Sequence, residues 1–81
     1  MSQVVEEAAY YFNRQIRAVA LVSCGVRLPS GRWVRVADAT ALPVEVEQVL
    51  AELFPDLKGS VVRFMRLECE ADVQRFEESL P

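Results

Sequence analysis

Residues 17–36 read RAVALVSCGVRLPSGRWVRV. The second half of this stretch carries the clearest local signal in the chain. Val22, Cys24, Val26 and Leu28 alternate with Ser23, Gly25 and Arg27, as expected of a half-buried strand. Leu28-Pro29-Ser30-Gly31-Arg32 then reads as a turn, because proline presets one backbone position and glycine accepts a positive φ. Trp33-Val34-Arg35-Val36 is β-prone. Strand, Pro-Ser-Gly turn and strand together predict a hairpin, with the first strand spanning 17–28.

Upstream, residues 3–14 read as a helix. Glu6, Glu7, Tyr10, Asn13 and Arg14 fall on one side, and Val5, Ala8, Ala9 and Phe12 on the other. Ser2 stands where an N-cap would, and the apolar stripe is extendable to about residue 20 through Ile16, Val19 and Ala20. Downstream, Pro43 suits a first helical turn. Val46, Val49, Leu50 and Leu53 make an apolar stripe, with Glu45, Glu47 and Glu52 opposite, and Phe54-Pro55 ends the helix. Asp56 to Gly59 reads as a loop. Val61 to Phe64 favours a strand over 60–68 by composition. A competing helical spacing runs through Val62, Met65, Cys69, Val73, Phe76 and Leu80, and it is best confined to a helix over 70–79. The expected order is α-β-β-α-β-α. The fold class is α+β: one small domain over residues 1–81, with an antiparallel sheet of about three strands and helices packed on one face.

The charges fall in blocks. Between residues 14 and 36 there are five arginines (Arg14, Arg17, Arg27, Arg32, Arg35) and no acid. Between 37 and 57 there are five acids (Asp38, Glu45, Glu47, Glu52, Asp56) and no base. Eight of the nine basic residues are arginine, the side chain that forks onto carboxylates and phosphates. If residues alternate across the sheet, Trp33 and Arg35 share a face, and so do Phe64 and Arg66. Were those faces to coincide, rings and guanidinium groups would form one surface. Arg27, Arg32, Trp33, Arg35, Arg63 and Arg66 are therefore the candidate partner-binding residues. Such a surface also stacks and neutralises single-stranded nucleic acid, but a net charge of −3 and a pI near 4.9 weigh against that use. The competing reading has Trp33 capping the core and the arginines paired with the acidic helices. The acidic face of the middle helix is a second candidate contact surface for a basic partner.

The chain has no histidine. This removes the commonest general base and the commonest metal ligand, and with them every histidine-dependent triad. Its glycines are isolated, so there is no phosphate-cradling loop. Cys24 and Cys69 are the only nucleophile candidates, and their apolar neighbours predict free, buried thiols. The acidic pairs Glu6/Glu7 and Glu77/Glu78 read as solvated surface, and Tyr10 and Tyr11 as packing. The longest uncharged run, 18–26, falls well short of the roughly 20 residues that span a bilayer. No basic-then-apolar leader opens the chain. A cytoplasmic location follows as the expectation, with no cofactor and no membrane.

These features predict a non-catalytic binding or regulatory protein that acts by protein–protein contact. A hydrophobic fraction of 52% is generous for 81 residues, which favours a homodimer among its contacts. The alternatives are a nucleic-acid-binding module on the same arginine and aromatic residues, and a small enzyme or enzyme subunit with a reactive cysteine.

Overall fold

The computed structural model describes residues 2–29, 31–57 and 62–78. Its elements are β1 (Ser2–Val4), β2 (Ala9–Asn13), β3 (Ala18–Val22), β4 (Arg27–Pro29), β5 (Val34–Asp38), α1 (Pro43–Leu53), β6 (Arg63–Leu67) and α2 (Glu70–Glu78). A four-stranded mixed sheet in the order β5-β2-β3-β6 forms the centre, and β1 and β4 make a separate two-stranded sheet. The fold is mixed α+β.

The expected helix over 3–14 is instead strand β1, a turn and strand β2. The reason is burial. All five residues of Ala9-Tyr10-Tyr11-Phe12-Asn13 are buried, because β2 is an inner strand covered on both faces. A strand buried on both faces loses the period-2 signature and keeps only its aromatic, β-prone composition. The same holds for Ala18-Val19-Ala20-Leu21-Val22 in β3. The two pair antiparallel, Tyr10 opposite Leu21 and Phe12 opposite Val19, through a loop over 14–17. Asn13 Oδ1 accepts the Gln15 N–H at 3.0 Å, and Arg17 closes the loop at φ +51°.

The predicted strand over 17–28 is also divided. It breaks after Val22, and Gly25 turns the chain at φ +84°. There, Gly25 N–H donates to the Val5 carbonyl at 2.7 Å and Val5 N–H to Val26 at 2.9 Å, leading into the β1–β4 pair. Gly31 takes the positive φ, +85°, that the turn reading assigned it. The strands on either side do not pair with each other, however. β4 pairs with β1, and β5 with β2, so the predicted hairpin is replaced by a crossing from one sheet to the other.

The second half of the chain follows its pattern more closely. α1 begins at Pro43, and the Leu42 N–H donates to Glu45 Oε2 at 3.1 Å. It ends before Phe54-Pro55, and Pro55–Leu57 form a 3-10 turn. β6 and α2 match the strand and helix expected there. The predicted loop residues 58 and 59, the strand's start at 60–61 and the helix's last residue, 79, lie outside the described residues. The observed order is β-β-β-β-β-α-β-α. It differs from the expected order, and the central sheet has four strands rather than three. It is mixed because β6 runs parallel to β3.

The helices also do not share a face. Tyr10, Phe12 and Val19 pack with Val46 and Leu50 of α1. Tyr11, Ala20, Val22 and Leu67 pack with Val26, Leu28, Trp33 and Val73, the last from α2. The connection from β3 to β5 therefore crosses on α2's side, and that from β5 to β6 crosses through α1 on the other. Trp33 meets Phe76 edge-on, with ring centroids 5.8 Å apart. Phe12 packs on Phe54 at 5.1 Å, and the Arg14 guanidinium lies over the Phe54 ring at 5.7 Å while pairing with Asp56.

Candidate functional site

A four-stranded open sheet has two edge strands, and proteins manage such edges because each offers unpaired backbone groups. β5, one edge, carries a bulge. Tyr10 faces Ala37 and Tyr11 faces Arg35, which leaves Val36 unmatched. A bulge bends the strand and spoils it as a template. β6, the other edge, pairs with β3 over five residues without interruption.

The hydrogen bonds of β6 fix which groups remain free. Arg63 N–H donates to the Arg17 carbonyl at 3.1 Å, and the Leu67 carbonyl accepts from Ser23 at 3.0 Å. Odd-numbered residues thus turn their backbone toward β3. Phe64 and Arg66 turn theirs outward, and among the described residues no strand pairs with them. The next outward N–H, that of Glu68, is taken by Asp72 Oδ2 at 2.9 Å. That bond, together with the Arg75 guanidinium, holds the Asp72 carboxyl below the usual carboxylate range. The ladder is thereby closed at its C-terminal end, and within β6 the outward-facing residues are Phe64 and Arg66.

Two hollows flank this ladder. On the α1 side, one of about 430 Å³ is lined by Tyr10, Leu21, Pro43, Phe64, Met65 and Arg66. On the α2 side, one of about 350 Å³ is lined by Met65, Arg66, Leu67, Asp72, Arg75 and Phe76. In the first, Phe64 is 40% exposed, and the neighbours of Pro43 in sequence, Leu42 and Val44, are 60% and 55% exposed. By spacing, Leu42 is in line with the 46/49/50/53 stripe and Val44 lies off it, and the binding-face reading included neither.

The six residues expected to form one contact face do not converge. Trp33 is 5% exposed and belongs to the core under α2. Arg35 pairs with Asp38 on β5. Register places Arg35 on the Tyr11 and Met65 face, and Phe64 and Arg66 on the opposite face at the opposite edge. The combined ring and guanidinium surface is therefore not assembled. Arg27 reaches Glu70 at 4.0 Å, and Arg32 is exposed in the turn before Trp33. Arg66 reaches Glu68 at 4.0 Å. Arg63 makes no ion pair among the described residues. Only Arg63 and Arg66 lie on the free edge.

Cys24 and Cys69 are free, but both are exposed rather than buried. Cys24 sits in the turn that ends β3, so the alternation with Val22 and Val26 is broken there. Cys69 accepts the Asp72 N–H at 3.1 Å through its carbonyl, at the start of α2. Of the acidic α1 face, Glu45 caps its own helix and Asp56 pairs with Arg14; Glu47 and Glu52 are exposed. Among the described residues no helix is long and apolar enough to cross a membrane. Comparisons with protein families, with curated proteins and with solved structures find no match to this chain.

Proposed function

We propose that this chain is a non-catalytic binding protein that acts by protein–protein contact, and that its contact surface is the β6 edge. One observation carries the reading: an unbulged edge strand with an open two-residue ladder lies between a hollow on each face. An added strand gains affinity from backbone hydrogen bonds and specificity from alternate side chains, which such hollows receive. The exposed Phe64 supplies the apolar centre that a contact surface needs, and Arg66 supplies an arginine beside it.

Arg66→Pro tests this. Proline removes an outward N–H and leaves the N–H groups bonded to β3 in place, a position edge strands tolerate. The immobilised variant is expected to lose the proteins that the original chain captures, additional copies of itself included, while its far-UV circular dichroism is retained. Capture unchanged by Arg66→Pro and by Phe64→Glu would refute the reading.

A further inference from the structure

We infer that the occupant of the β6 edge is a second copy of this chain, paired antiparallel through β6 about a two-fold axis at Met65. The inference rests on the reading of β6 as the contact edge and names its partner. Antiparallel pairing opposes residues whose numbers sum to a constant, and the hydrogen-bonded pairs must both face outward. An axis at Met65 meets this condition. It sets Phe64 opposite the partner's Arg66 and Arg66 opposite the partner's Phe64. All four residues turn their backbone outward, so each pair exchanges two N–H···O bonds. The ladder then stops where Asp72 already holds the Glu68 N–H. The open part of the edge is thus the part that two copies can satisfy in each other.

The side chains fit the same axis. On the α1 face, each Arg66, with its head largely in solvent, comes beside the partner's exposed Phe64, a cation over a ring that otherwise meets water. The two Arg66 side chains lie on the diagonal rather than opposite each other, and each keeps its own Glu68 within 4.0 Å. On the α2 face, Met65 meets Met65. Arg63, which has no ion pair among the described residues, comes opposite the partner's Leu67. There it borders the hollow lined by Leu67, Asp72 and Arg75. The contact is self-complementary and closes as a dimer. Pairing β6 with β5 of another copy would instead be open-ended, and it would meet the Val36 bulge.

Two measurements test this, starting with Met65→Cys in a Cys24→Ser/Cys69→Ser background. The axis places the two residues at position 65 in a non-hydrogen-bonded pair, with Cα atoms about 4.5 Å apart, within disulfide reach. With oxidised glutathione as oxidant, a covalent dimer should form almost completely. Val34→Cys on the β5 edge should form no covalent dimer. Sedimentation equilibrium should show a dimer for the original chain, weakened at least about tenfold by Phe64→Ala, as expected for loss of a central aromatic contact. A monomer at every concentration with no crosslink at position 65 would overturn the second copy as occupant. Loss of another captured protein on Arg66→Pro would then still leave the edge reading standing. A dimer indifferent to Phe64→Ala and Arg66→Pro, without the crosslink, would also overturn the inference, because the copies would be meeting elsewhere.

Discussion

Trp33→Ala separates a core tryptophan from a contact tryptophan. Trp33 is 5% exposed, lies among Val26, Leu28 and Val73, and meets Phe76 edge-on. Removing a buried tryptophan costs about 3–5 kcal/mol, of which the ring–ring contact contributes about 0.5–1.5 kcal/mol. An 81-residue chain has about 4–12 kcal/mol of stability in all, at ~0.05–0.15 kcal/mol per residue. The substitution should therefore consume about a quarter or more of the total. α2 should feel it first, since nine residues are too few to hold a helix without packing. Urea titration followed by far-UV circular dichroism measures the loss. At about 1 kcal/mol per molar, the midpoint should fall by about 3 M or more. In the unsubstituted chain, the single tryptophan should emit at short wavelength and resist quenching by iodide. A loss below about 1 kcal/mol, in the range of surface substitutions, together with ready quenching, would refute burial and return Trp33 to the surface.

Two further outcomes follow from the loop over 14–17 and from the start of α2. Arg17 holds φ +51°, a conformation that costs an L-residue about 1 kcal/mol, so Arg17→Gly should stabilise the hairpin by about 0.5 kcal/mol after the entropy of the added glycine, raising the melting temperature by about 2–4 °C; a lower melting temperature would contradict the geometry. Asp72 has its carboxyl pKa lowered in the folded state, first by the Glu68 N–H it accepts, so its stabilising effect is full above the unfolded carboxylate pKa and is lost as pH falls through the folded one. Acid titration of Asp72→Asn should accordingly show lower stability at neutral pH and a shallower decline below about pH 4 than the unsubstituted chain; parallel curves would refute the cap.

The elements legible in the sequence are those with one wet face. α1 keeps its 46/49/50/53 stripe because only one side meets the sheet, and β6 and α2 lie near an edge of the molecule. β2 is the failure, whereas β3 lies inside the strand expected over 17–28 and only its end at Val22 was missed. Sealed on both sides, Tyr10 and Tyr11 are equally buried although they point to opposite faces, and no periodicity survives. Their hairpin is hidden as well, because Arg17 holds the positive-φ position where glycine or asparagine would have announced a turn. The Pro-Ser-Gly turn was visible, but the partners of its flanking strands were not, since those partners lie about 25 residues upstream of each. At the free edge, the alternation that puts Phe64 and Arg66 on one face could be read locally. That β6 is an edge at all depends on the order β5-β2-β3-β6, which no local spacing encodes.

The parallel pairing of β6 with β3 has a kinetic consequence. The β2–β3 hairpin closes over a four-residue loop and can form early, yet β3 must wait for a strand 45 positions further along before its second edge is covered. Non-local pairing of this kind slows folding, and it leaves Ala18 to Val22, a continuous apolar segment, open to other chains in the interval. β6 covers an apolar edge of β3, so changes that delay β6 should appear first as lost soluble yield and only later as lost stability.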